Sequence, residues 1–175
     1  MSGVRVPHRP TSFIRNRFAV FRTDAADMQR FIKKYIRRSK AWRHKVFKKT
    51  ERLIRRLRKR DFSDERIADY FLHQNLSQNE KKFCPLFADG HKCHILSSDR
   101  LNCLGCYCPY FSADVTENEG VFECGHCEVN SPAAQRVTPV KHPNLRILDC
   151  SMCVIPHQHS RVMKILDRDF PRTNG

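Results

Sequence analysis

Three cysteine pairs with two residues between the partners constrain this 175-residue chain more than any other feature: Cys103-Leu-Gly-Cys106, Cys124-Gly-His-Cys127 and Cys150-Ser-Met-Cys153. That spacing lets both thiolates turn onto one ion about 2.3 Å from each sulfur. All nine cysteines lie between Cys84 and Cys153, so the second half of the chain is expected to fold around metal. A disulfide framework is the rival use of so many cysteines. The odd count, the metal-type spacing and the lack of an apolar signal segment at the start of the sequence argue against it.

Closed structural zinc sites take four Cys or His ligands, so eight donors make two sites. The candidate ligands are Cys84, Cys93, His94, Cys103, Cys106, Cys108, Cys124, Cys127, Cys150, Cys153 and His157. Four pairs combine into two sites in three ways, and spacing leaves that choice open. Two zinc ions with a structural role are the expected cofactor. The cluster Cys103, Cys106 and Cys108 keeps an iron–sulfur cluster as the alternative. His126, inside a CxxC turn, is expected to be solvated.

Charge divides the chain at the same place as the cysteines. Residues 1–82 carry 24 Lys and Arg against 8 Asp and Glu, a net of +16, whereas residues 83–175 carry 9 against 10, a net of −1. The division predicts a basic flexible tail over 1–23, a basic helical arm over 24–82, a cysteine-rich metal-binding module over 83–167 and a tail over 168–175. No apolar run approaches the ~18 residues of a membrane span, so a cytoplasmic placement is expected.

Within the arm, Thr23-Asp24 reads as a helix cap. Met28, Ile32, Tyr35, Trp42, Val46, Leu53 and Leu57 follow at helical spacing, widened by Phe31, Ile36, Phe47 and Ile54. One long helix or two shorter ones over about 24–60 fit this stripe, with weak positions at Ser39 and near Lys49. A second short helix is predicted from Asp64 to about Gln74 and a polar linker over Asn75 to Lys82. Residues 128–146 read as a loop, and Ser160 to Asp167 as a terminal helix. The fold class is therefore a small α+β protein, with the basic helical arm followed by an irregular metal-stabilised module and a short C-terminal helix.

Three strings resemble a known family. Cys93-His94, then Asn102-Cys103-Leu104-Gly105-Cys106-Tyr107-Cys108-Pro109-Tyr110, then Asp149-Cys150-Ser151-Met152-Cys153-Val154-Ile155-Pro156-His157 resemble the bacterial and archaeal cysteine-rich small domain family over about residues 83–167. The resemblance implies a metal-binding module found alone or beside enzymes of cobalamin metabolism. It favours His94 over His91 and His157 over His159 as ligands. It implies no activity, and residues 1–82 lie outside it.

Residues 15–60 hold 19 basic side chains against Asp24, Asp27 and Glu51. With so few acids for i,i+4 pairing, such a helix repels itself until an anionic partner arrives. The leading expectation is a nonenzymatic, zinc finger-like protein whose arm binds RNA or DNA without strong sequence specificity. Arg15, Arg37, Lys45, Lys48, Arg55 and Arg58 sample its contact face. No HExxH, nucleotide-binding loop or recognition helix is present, and no catalytic residue is assigned. Two other classes compete: a metalloenzyme or iron–sulfur accessory protein linked to corrinoid metabolism, and a protein-interaction adaptor docking through the apolar stripe. Tyr107, Tyr110, Phe111 and Phe122 are expected in the core, with base stacking by Tyr107 or Tyr110 as the lesser alternative.

Overall fold

Residues Ala25–Arg58 form one helix, α1, that passes Ser39 and Lys49 without a break. The structure, a computed structural model, describes residues 25–172. The tail expected over 1–23, with Arg15, and the cap at Thr23-Asp24 lie outside the described residues. Asp27 in the first turn and Arg55, Arg56 and Arg58 in the last complement the helix dipole.

The apolar stripe of α1 serves two cores in succession. In its first half Met28 and Ile32 bury against Cys124 and Leu145, with Tyr35, Val115 and Phe122 packed around them. In its second half Leu53, Ile54 and Leu57 join a larger core containing Ile67, Phe71, Leu104, Tyr107, Val162, Ile165 and Leu166. That core runs across Lys82, so the basic helix and the cysteine-rich segment share one interior. Fully burying a side chain such as Leu57 contributes roughly 1.5–3 kcal/mol, which offsets the helix's self-repulsion.

The next two helices are α2, Asp64–Tyr70, and α3, His73–Asn79. The Ser63 side chain caps α2 by accepting from the Arg66 backbone N–H. The sequence suggests one helix here, but Leu72 is extended, at φ −58° and ψ 137°, and bridges to Asn102. The pull of that bridge splits the helix and carries the second piece into the segment expected to be a linker.

A four-stranded sheet follows, ordered β1-β2-β4-β3: β1 Phe111–Asn118, β2 Val121–Cys127, β3 Gln135–Val137 and β4 Leu145–Asp149. β1 and β2 are an antiparallel hairpin with an irregularity between Ser112 and Val115, β2 and β4 are parallel, and β3 and β4 are antiparallel. The last helix, α4, spans His159–Asp169 and buries Val162, Ile165 and Leu166. The protein is thus α+β, with an N-terminal helix, a small mixed sheet and a short C-terminal helix.

Candidate metal centre

The first CxxC turn is held by Asn102, whose side chain is buried. Its Nδ2 donates to the Ala68 carbonyl at 2.7 Å, and its Oδ1 accepts from the Leu104 N–H at 3.0 Å. Cys103 N–H donates to Phe71 O, and Cys106 N–H closes the turn onto Cys103 O at 3.2 Å. Residues Leu104–Tyr107 wind as a 3-10 turn. Gly105 is pressed against a second 3-10 turn, Ile155–His157; a Cβ there would stand 2.2 Å from Pro156 O. Cys108 follows in the left-handed region, φ 44°, a costly conformation for a residue with a Cβ.

The third CxxC is also a closed turn, with Cys153 N–H donating to Cys150 O at 2.9 Å. Asp149 braces it by accepting from the Ser151 N–H at 2.9 Å and from the Ser151 hydroxyl. Those bonds hold the Asp149 carboxyl below its ordinary range. Glu123, the acid before Cys124, pairs with Arg136 at 3.5 Å and Arg146 at 3.6 Å. Both acids are engaged in structure.

All nine cysteines are free thiols. Among the described residues, no three His, Cys, Asp or Glu side chains are gathered as a ready ligand set. Their electrostatic neighbourhoods nevertheless sort eight of them into two groups. Burial raises Cys103, and Cys106, Cys93 and Cys84 push it the same way. Burial pushes Cys106 up to about 12, reinforced by Cys93, Cys84 and Cys108. Desolvation and the Cys84 sulfur raise Cys93, although that residue is exposed overall. Cys84, Cys93, Cys103 and Cys106 therefore influence one another electrostatically, with Cys108 linked to them through Cys106.

The second group assembles in the same way. Burial pushes Cys150 up to about 12, with Cys108, Cys127 and Cys153 next in effect. Burial also raises Cys108, which feels Cys153 and Cys127. Cys127 reaches this group because it pairs across the hairpin with Phe111, three residues beyond Cys108.

Cys124 stands apart. It is fully buried in the smaller core with Met28, Ile32 and Leu145, and its thiol is raised by burial and lowered by Arg136, with no other cysteine acting on it among the described residues. The reason is local: Cys124 and Cys127 lie on strand β2, where residues three apart favour opposite faces. No turn closes this CxxC as it does the other two.

His94 and His157, ring centroids 4.4 Å apart, lie between the groups, lining one cavity with Cys106, Cys108, Cys150 and Cys153, and His94 bonds the Ser151 backbone. Burial drops His157 to about 4, with His94 pushing the same way and the bond to Asn102 O opposing. Burial lowers His94 as well, and its Nδ1 is buried with no hydrogen-bond partner among the described residues. His91, His126 and His159 are exposed.

The expected cationic face is sorted by its partners. Lys33, Lys34, Arg37, Arg38 and Lys45 are exposed on α1 and form no ion pair among the described residues. Lys48 and Arg55 both pair with Glu51, at 3.0 and 3.4 Å. Arg58 is half-buried, donating to Asp64 and to Pro171 O, so it braces the fold. Arg43, not singled out in sequence, turns inward and donates to Tyr107 O at 3.1 Å and Cys108 O at 3.2 Å. It staples α1 to the junction between the two cysteine groups. Nothing in the sequence separates it from the other basic residues of the helix.

Compared with family models, curated proteins and solved structures, the chain matches none of them. The resemblance drawn from the cysteine strings therefore rests on those strings alone. No helix among the described residues is long and apolar enough to cross a membrane.

Proposed function

We propose that this chain is a metal-stabilised, nonenzymatic protein that binds a polyanion, RNA or DNA, along the outer face of α1. The observation that carries the reading is the arrangement of that helix. Its inner face is fastened by Arg43 to the carbonyls of Tyr107 and Cys108, while Lys34, Arg37, Arg38 and Lys45 on the outside lack ion pairs among the described residues. A rigid row of unpaired cations gains most from phosphates, because each contact releases a condensed counterion.

For the metal, the two groups supply four thiolates each: Cys84, Cys93, Cys103 and Cys106, and Cys108, Cys127, Cys150 and Cys153. Four thiolates without a carboxylate suit zinc in a closed structural site. The same donors could bind an iron–sulfur cluster, which a brown colour in anaerobically prepared protein would reveal. Saturated four-thiolate sites leave no open position for a substrate, which is why the enzyme reading is set aside.

Two measurements on the full chain test this. Elemental analysis should find two zinc ions per chain, and neither zinc nor iron would end the metal assignment. Retention on heparin should fall steeply with salt and be lost when Lys34, Arg37, Arg38 and Lys45 are all changed to Glu. Retention unchanged by that charge reversal would end the polyanion assignment. Reversal is a better probe than deleting the helix, since Leu53, Ile54 and Leu57 belong to the main core.

A further inference from the structure

Trp42 is the single tryptophan of the chain and belongs by spacing to the apolar stripe, yet it is 52% exposed. At 100° per residue it lies at the margin of the stripe, and Lys34, Arg38, Trp42 and Lys45 fall within about 80° of the helix circumference. No ring packs against it among the described residues. Tyr107 and Tyr110, the aromatics that sequence offers for stacking, are buried, and the Tyr107 hydroxyl is bound to Asp169 at 2.5 Å.

Beside Trp42 a cavity of about 440 Å³ opens where α1 crosses the cysteine groups. Arg38, Ser39, Trp42 and Arg43 line it from the helix. Phe111, His94 and His157 line it from the module together with Cys106, Cys108, Cys150 and Cys153, so its inner wall belongs to the proposed metal sites and its helix side to Trp42. Arg43 is fixed by its two backbone carbonyls and lies 5.7 Å from the Phe111 ring centroid, so that wall is preorganised. Arg38 and Lys45, four and three residues from Trp42, stand where the flanking phosphates of a base stacked on it would run.

We propose that the exposed face of Trp42, at the helix side of this cavity, stacks one unstacked base of a single-stranded nucleic acid, with Arg38 and Lys45 on the adjoining phosphates. The proposal rests on the polyanion reading and deepens it: duplex cannot present a free base, so single strands or looped RNA are the preferred ligands. Exposure of an aromatic amid unpaired cations, over an apolar cavity, is the combination that sequence-tolerant stacking requires.

Because Trp42 is the only tryptophan, its emission reports the site directly. Single-stranded polyuridylate should quench it, and heparin, a polyanion without bases, should bind without quenching. Trp42→Ala should weaken polyuridylate by roughly tenfold, as expected for one lost stacked base, and leave heparin unchanged. Trp42→Phe keeps a ring and should retain most of the affinity, which separates stacking from misfolding. Polyuridylate that binds without altering emission, or an alanine variant that weakens both ligands equally, would overturn the base stacking and leave the polyanion reading standing. Failure of both ligands to bind would remove both. A sedimenting dimer that Trp42→Ala dissociates would assign the Trp42 face to a second copy of the chain and overturn the proposal.

Discussion

The Nδ1 of His157 lies 2.6 Å from the backbone carbonyl oxygen of Asn102. A carbonyl only accepts, so Nδ1 carries the proton and the neutral ring keeps its lone pair on Nε2. Asn102 also binds Ala68 O and Leu104 N–H through its side chain. One buried residue thus joins α2, the first CxxC turn and the Pro156-His157 segment. Asn102→Ala leaves Leu104 N–H and Ala68 O without these partners, and each orphaned buried group costs about 1–3 kcal/mol. Urea unfolding should show a loss of roughly 2–6 kcal/mol with unchanged slope. A loss under about 0.5 kcal/mol, the level of an ordinary surface change, would refute the joint role of Asn102.

Gly105 makes a second link between the same two turns. A methyl group there meets backbone, Pro156 O at 2.2 Å, which cannot rotate away. Gly105→Ala should therefore separate the turns and lower both thermal stability and metal content. Gly120→Ala, with nothing within 4 Å of its Cβ position but a φ of +77°, should cost only about 1 kcal/mol of backbone strain and leave the metal in place. Equal metal content in the two variants would show that the turns tolerate separation.

How much of this was legible in the sequence varied with the kind of interaction. α1 and α4 were, because a long stripe such as Met28, Ile32 and Leu57 states its period many times over. The strands were not: Val115, Phe122 and Ile147 are apolar positions in short, charged segments, and their order in the sheet is decided by contacts far apart in the chain. The hairpin did leave a local signal in Glu119-Gly120, both at positive φ. Cysteine spacing proposed the ligands but treated Cys124-Gly-His-Cys127 like the other two pairs. Spacing alone does not distinguish a closed turn from a strand, and only the fold places Cys124 with Ile32 and Leu145. The partition of cations likewise depends on where Glu51 and Asp64 sit.

That separation of Cys124 gives a direct test of the ligand sets. Cys124→Ala should leave two zinc ions per chain, with a modest loss of stability from its place in the smaller core. Cys106→Ser and Cys150→Ser should each remove one ion, and the double variant both. Metal lost on changing Cys124, with metal kept on changing Cys127, would reverse the assignment.

Asp64 governs the acid limb of stability. Burial raises its carboxyl, but hydrogen bonds from Arg172 and Arg58 outweigh this and hold it below the ordinary range. A depressed carboxyl contributes stability that is fully present above its unfolded pKa of about 3.9. The contribution is lost as pH falls through the lower folded value. The stability difference between the wild type and Asp64→Asn should therefore be constant above about pH 5 and shrink below about pH 4. Taking the difference cancels thiolate protonation, which both proteins share. A difference that stayed flat to low pH would show that the Arg58–Asp64–Arg172 contacts act without the charge.

The division of α1 cations into free and engaged sets predicts how binding should respond to salt. A cation that neutralises a phosphate contributes about 0.7 to the log–log salt slope on single strands and about 0.9 on duplex. Changing Lys34, Arg37, Arg38 and Lys45 together to Gln should then flatten the slope by roughly 3. Lys48 and Arg55 already share Glu51, so a phosphate must compete with a carboxylate for them. Lys48→Gln with Arg55→Gln should change the slope by less than about 1. Both variants keep the buried stripe intact, so affinity measured against salt concentration compares the two faces without a change of fold. Equal effects of the two sets, after allowing for the number of residues changed, would mean that the polyanion samples the whole helix and that ion pairing does not choose its path.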